Sequence, residues 1–134
     1  MVDTYKDCPA WSFGDSAEMA DELLGLVLAG VKTATSSALA DYGPDETPAQ
    51  PGSVEVVLDG TGNPRAVIRI TSVEIVPFGE VDADFAAAEG EGDRSLTCWR
   101  NAHESFFRRR GLFDPEMLLV CERFELIEEL TPGA

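Results

Sequence analysis

Apolar residues recur at Ala20, Leu23, Leu24, Val27, Leu28 and Val31, the three- and four-residue spacing of a single buried helix stripe. The pattern predicts a helix over 16–29, with Asp15 as N-cap, Glu18 in capping-box register and Gly30 as a left-handed stop. The hydroxyl-rich run Lys32-Thr33-Ala34-Thr35-Ser36-Ser37 reads as extended. Residues 41–52 carry Gly43, Pro44, Pro48, Pro51 and Gly52 without periodicity and form an irregular loop, whose 41–50 part is a candidate lid. Two strands follow over 54–58 and 65–76, joined as a hairpin by Asp59-Gly60-Thr61-Gly62-Asn63-Pro64 and closed by Pro77. A short helix over 82–88 leads through an acidic turn to a second long helix over 95–110. Its stripe is Leu96, Trp99, His103, Phe106 and Phe107, and Gly111 stops it. The last strand covers 117–127 and is apolar on both faces at 118–121, as in the centre of a sheet. These elements make an α+β domain, a small mixed and barrel-like sheet flanked by two or three helices.

With 134 residues, 44% of them hydrophobic, the chain holds one domain and one core, without repeats or a linker. Ten basic against 25 acidic residues give a net charge of −15, which repels polyanions and argues against duplex DNA as a partner. Half of the basic residues, Arg94, Arg100, Arg108, Arg109 and Arg110, fall in one stretch with a single acid, Glu104. That stretch fits a short nucleic acid or nucleotide, or equally a solvated helix face. Cys8, Cys98 and Cys121 are odd in number, sit among apolar neighbours and suit free thiols in a reducing compartment. Without a signal-peptide pattern or an apolar run of roughly 20 residues, a cytoplasmic protein with no membrane partner is expected.

The segment Ala88-Glu89-Gly90-Glu91-Gly92-Asp93-Arg94-Ser95-Leu96 concentrates the candidate chemistry. Its glycines open the backbone and its carboxylates require water or partners, so it is expected to stay unburied, as the acid-lined rim of a pocket or an elaborate helix start. The chain has two lysines. Lys6 lies in a polar N-terminal tail, and Lys32 stands where the first helix gives way to the hydroxyl-rich run. At a pocket floor, desolvation would lower the Lys32 pKa and make it a base for Thr35 or Thr33, with Glu89 or Glu91 holding the lysine or relaying its proton. The plainer reading is a cation at a helix C-terminus followed by ordinary strand threonines. Lys32 and Thr35 also point to opposite faces of a regular strand and converge only across a turn or bulge. His103, the sole histidine, lies on an apolar stripe and reads as a partly buried structural residue, which disfavours a Ser-His-Asp system. One histidine, scattered cysteines and no EF-hand spacing at Glu89, Glu91 and Asp93 predict no metal and no cofactor.

Three ordered segments carry a family resemblance. Trp11-x-Phe13-Gly14-Asp15, Leu28-Ala29-Gly30-Val31-Lys32-Thr33-Ala34-Thr35, and Glu89-Gly90-Glu91-Gly92-Asp93-Arg94-Ser95-Leu96-x-x-Trp99-Arg100-x-x-His103-x-x-Phe106-Phe107 resemble the ASCH domain family, from about Trp11 to Phe124. The resemblance implies a PUA-like fold, a small β-barrel flanked by helices that meets RNA or modified bases. Some members are implied to bind RNA, some to cleave it, and a shorter branch to hydrolyse the acetyl amide of N4-acetylcytidine. That branch uses a lysine and threonine of a Lys-Thr-x-Thr motif, matched here by Lys32 and Thr35, and a glutamate matched by Glu91 first and Glu89 second. Thr33, Glu89, Asp93, Arg94 and Arg100 would then bind substrate. Thr35 would attack the acyl carbon with Lys32 as base, and Lys32→Ala would remove activity while leaving the fold intact. The chain departs from the short branch in its length, its Glu-Gly-Glu-Gly-Asp turn and its long helix carrying Trp99 and Phe107. A ribonuclease with Arg94 and Arg100 on phosphates, and a non-catalytic reader of RNA or a modified base, are the rival implications. The expected partner is accordingly a small nucleoside or a short single-stranded RNA.

Overall fold

Ten elements follow one another in the computed structural model, which describes Tyr5 and residues 7–131; Lys6 lies outside the described residues. Strand β1 (Ala10–Trp11) precedes helix α1 (Ala17–Leu28) and strand β2 (Ala34–Ala38), which ends in a single 3-10 turn at Leu39–Asp41. The hairpin β3 (Val54–Leu58) and β4 (Pro64–Pro77) follows, then a second 3-10 turn at Phe78–Glu80, helices α2 (Ala83–Glu89) and α3 (Leu96–Arg109), and strand β5 (Leu118–Glu129).

The strands form one sheet in the order β1-β3-β4-β5-β2, parallel between β1 and β3 and antiparallel elsewhere. Register shifts at Val67/Ile68 and Ile70/Ser72 interrupt the long β4–β5 ladder, and bulges of this kind bend and coil a sheet. The sheet is thus mixed and barrel-like but open, with β1 and β2 as its edges, so the expected barrel is realised without closure. At one edge β2 pairs only with β5, and the register places Thr35 opposite Glu122 and Ser36 opposite Cys121. Two apolar clusters cover the sheet. Phe78, Trp99, Phe107, Leu119 and Cys121 pack with Ala34 and Ala38, and Leu24, Val27 and Phe13 pack with Val57, Ile68 and Phe124.

The helix starts follow capping chemistry, with one correction. Ser16, not Asp15, caps α1 by accepting the Met19 N–H at 3.1 Å, while Asp15 lies 3.6 Å from Arg109. Asp82 and Ser95 cap α2 and α3 through the Phe85 and Cys98 N–H groups. Strand β1 was not expected, since two residues are too few to show alternation. Among the described residues, no helix is long and apolar enough to cross a membrane.

Candidate functional site: a buried lysine between two glutamates

Gly30, with φ +78°, turns the chain out of α1, and the N–H groups of Val31 and Lys32 both donate to Leu26 O. The chain then runs beside the end of α2, where the Thr33 N–H donates to Ala88 O at 2.7 Å. This brings the Lys32 ammonium 3.0 Å from Glu89 Oε1, 3.2 Å from Glu89 O and 2.9 Å from Glu91 Oε2. All three N–H donors of the ammonium are thereby taken. The second Glu89 oxygen, Oε2, accepts from Ser36 Oγ at 2.7 Å and Trp99 Nε1 at 2.8 Å, and stands 3.5 Å from His103 Nε2. Lys32 and Glu89 are each 1% exposed, whereas the Glu91 side chain is 25% exposed.

The acidic turn is therefore not wholly exposed, contrary to expectation. Glu89 and Gly90 are buried because Lys32, Ser36 and Trp99 supply the partners that water would otherwise supply. Gly90 makes this approach feasible. Its φ is +73°, and a Cβ there would lie 2.6 Å from Val31 O and 3.0 Å from the Lys32 Cα. Gly90→Ala is expected to cost about 2–4 kcal/mol, combining left-handed strain with a backbone clash. Thermal unfolding followed by circular dichroism measures this; an unchanged midpoint would mean that the turn does not need its close contact.

The charges decide the protonation states. Burial alone pushes the Lys32 ammonium pKa down, but the Glu89 and Glu91 carboxylates more than reverse it, and the net shift is upward. Lys32 is thus held as a cation, the opposite of the lowered pKa expected for a base. Burial likewise pushes the Glu89 carboxyl up, and Lys32, His103 and Ser36 pull it well below the usual carboxylate range. His103 donates from Nδ1 to Trp99 O at 2.9 Å, which turns Nε2 toward Glu89. Burial lowers its pKa, Glu89 raises it through hydrogen bond and charge, and the net shift is upward from 6.5. As the only histidine, it gives one resolved NMR titration curve. Its midpoint is expected above 6.5 in the wild type, and lower in Glu89→Gln than in the wild type. Equal midpoints in the two proteins would contradict the coupling. Ligand atoms of Glu89, Glu91 and His103 lie within 4.8 Å of one another, a spacing that fits a metal ion. The Lys32 ammonium already pairs with both carboxylates and serves as the cation of this cluster.

The cluster opens on a cleft of about 290 Å³, lined by Phe13, Lys32, Thr35, Glu91, His103 and Phe106. Phe13, Thr35, Ser36, Phe106 and Phe107 also line an adjoining chamber of about 820 Å³, whose far walls carry Trp11, Tyr42, Glu55 and Glu122. The expected lid loop contributes a wall of that chamber, from Tyr42 to Gln50. Thr35, on the open edge strand, stands where the two compartments meet.

The sequence model of the ASCH domain matches residues 9–128. The chain belongs to the ASCH domain family. It is 38% identical to protein EF3133 from Enterococcus faecalis V583, covering 99% of this chain and 91% of that one at a TM-score of 0.84. It is also 38% identical to an ASCH domain from Lactobacillus crispatus JV V101, covering 92% and 82% of the two chains at a TM-score of 0.82. Hypothetical protein PH0355, 16% identical over 88% of this chain and 99% of its own at a TM-score of 0.60, shares the fold alone. No curated protein matches the chain.

In this ASCH domain, Lys32, Thr35, Glu89 and Glu91 reach the cleft, and four other expected site residues do not. Thr33 Oγ1 donates to Ala88 O at 3.4 Å and is exposed. Asp93 accepts the Ser95 N–H at 2.8 Å and helps start α3. Arg94, with φ +67°, donates from Nε to Ala87 O. Arg100 spends its guanidinium on the carbonyls of Phe78, Gly79 and Val81 at 3.0–3.2 Å, tying α3 to the turn after β4. The arginines at the cleft are instead Arg109 and Arg110, paired with Asp15 and Asp41. Ser36 was missed as the Lys32 partner on Glu89, although strand alternation already put residues 32 and 36 on one face. Glu55 and Glu122 were missed too; their signal is an acid inside an apolar run, Val54-Glu55-Val56-Val57 and Val120-Cys121-Glu122. His103 is buried and hydrogen-bonded, as its stripe position implied, and also lines the cleft.

Proposed function

We propose that this ASCH domain hydrolyses the acyl amide of an N4-acylated cytidine nucleoside. The observation that carries the reading is that Thr35 lines both the cleft reached by Lys32 and Glu91 and the adjoining chamber, which is large enough for a nucleoside. The Thr35 hydroxyl attacks the acyl carbon and its proton passes to Glu91, the more accessible of the two carboxylates that hold Lys32. A protonated Glu91 loosens its hold on Lys32, which releases one ammonium N–H to the forming oxyanion. The tetrahedral species collapses as Glu91 returns the proton to the departing N4 nitrogen, and cytidine leaves. Water then attacks the acyl-threonine with Glu91 taking its proton, the carboxylic acid departs, and Thr35 regains its hydrogen. Lys32 acts here as a fixed cation rather than a base, in keeping with its raised pKa.

The charge of the molecule supports a neutral nucleoside over a polymer. A nuclease would need cations free to meet phosphates. Arg94 and Arg100 stand outside the cleft with carbonyl partners, and Arg109 and Arg110 face acids. The test is a parallel assay of the purified protein on N4-acetylcytidine and on a short labelled RNA at low salt. Cytidine release with intact RNA is the expected result. Cleaved RNA with intact nucleoside would replace this reading by a ribonuclease, and tight nucleotide binding without turnover would replace it by a reader.

A further inference from the structure

The larger chamber contains two buried acids that the hydrolytic steps do not use. Glu55 and Glu122 are each 8% exposed, on β3 and β5 respectively. Glu55 accepts the Trp11 Nε1–H at 2.8 Å. Glu122 receives no hydrogen bond from any described residue, and among the described residues no fully enclosed side-chain polar atom lacks a partner. Its carboxyl oxygens therefore open on the chamber that it lines. Directly across the β2–β5 ladder is Thr35, so the two side chains leave the same face about 5 Å apart at Cβ.

We propose that Glu55 and Glu122 form a second subsite that holds the amidine edge of a nucleobase, a bare ring nitrogen beside an exocyclic N–H. Cytosine and its N4-acyl derivative present this edge; uracil, with hydrogen on the ring nitrogen, does not. Glu122, as the neutral acid, donates to the ring nitrogen, and the Glu55 carboxylate accepts the exocyclic N–H. Holding the ring nitrogen at Glu122 brings the neighbouring N4 substituent over Thr35, its cross-strand partner. This inference rests on the proposed hydrolysis and adds the residues that select the base.

Glu55 has the Trp11 N–H as a partner and Glu122 has none, so Glu122 is the acid of the two whose charged form has less support. Burial first, and then the Glu55 charge, push the Glu122 carboxyl up to about 7. The other charged or titratable groups on the chamber are Tyr42 and Glu46 on the loop, and the Asp41–Arg110 pair.

The subsite is tested by calorimetric titration of cytidine and uridine into the full chain. Wild-type affinity for cytidine is expected to exceed that for uridine near pH 6 and to fall about tenfold by about pH 8, as Glu122 loses its proton. Glu122→Gln keeps a donor at all pH values, so its cytidine affinity is expected to be flat over that range. Glu55→Gln removes the neighbouring charge and is expected to move the midpoint to lower pH. Cytidine affinity that is independent of pH in the wild type, absent altogether, or equal to that for uridine would overturn the subsite. So would the same pH dependence persisting in Glu122→Gln. Turnover is read separately: hydrolysis without this binding signature sinks the subsite alone, and the signature without hydrolysis sinks the reaction alone.

Discussion

Lys32→Met is expected to lower folding stability by about 3–5 kcal/mol, because it strands Glu89 as an unpaired buried carboxylate. A domain of this size has about 5–15 kcal/mol in total, so the variant would be marginal but measurable in urea. The wild-type signs follow from the shifts. Glu89, depressed in the folded state, contributes stability that is present above its ordinary 4.5 and lost as pH falls through the native value. Lys32, raised, contributes stability that is present below 10.5 and lost as pH rises through its native value. Removing the lysine reverses the carboxylate term. Burial then raises Glu89, and the variant is expected to gain stability as pH falls from about 7 to about 5. Adding Glu89→Gln to Lys32→Met should restore much of the loss, since no charge remains without a counter-charge. A Lys32→Met protein as stable as the wild type at neutral pH would refute the buried pair. A similar loss is expected for Lys32→Ala, against the expectation of an intact fold.

Glu91→Gln is expected to reduce turnover about 100-fold to 10,000-fold while leaving stability within about 1 kcal/mol. Glu91 is the member of the network that meets solvent, and Lys32 keeps both Glu89 contacts without it. The amide can still accept from Lys32 but cannot take up the proton that the proposed mechanism passes from Thr35 to the leaving nitrogen. The two glutamates therefore separate by assay, Glu89 chiefly affecting stability and Glu91 chiefly affecting rate. Turnover preserved in Glu91→Gln would remove it from the reaction.

Periodic elements were legible in the chain. The stripes of α1 and α3, the hairpin at Asp59–Pro64 and the apolar centre of β5 all rest on local spacing. The site was legible only in part, because its geometry comes from contacts between residues far apart in sequence. Glu89 and Glu91 stand side by side in the turn, yet which is buried depends on Trp99 and Ser36 converging on Glu89 from α3 and β2. Thr35 and Ser36 differ by one position; alternation separates their faces, but that Ser36 meets Glu89 and Thr35 stands opposite Glu122 is set by the sheet register and the packing of α2. Arg94 and Arg100 were plausible anion ligands by charge, but the carbonyls that occupy them belong to the end of α2 and the turn after β4. The resemblance to the ASCH family located Lys32 and Thr35 without settling what surrounds them.

The central claim is that Thr35 is the group that takes the acyl carbon. Its most direct test is the rate of cytidine release from N4-acetylcytidine by Thr35→Ala against the wild type, with cytidine affinity measured on both. The account predicts release by the wild type, a loss of at least about 100-fold in the variant, and unchanged cytidine binding. A Thr35→Ala protein that releases cytidine at the wild-type rate would contradict it.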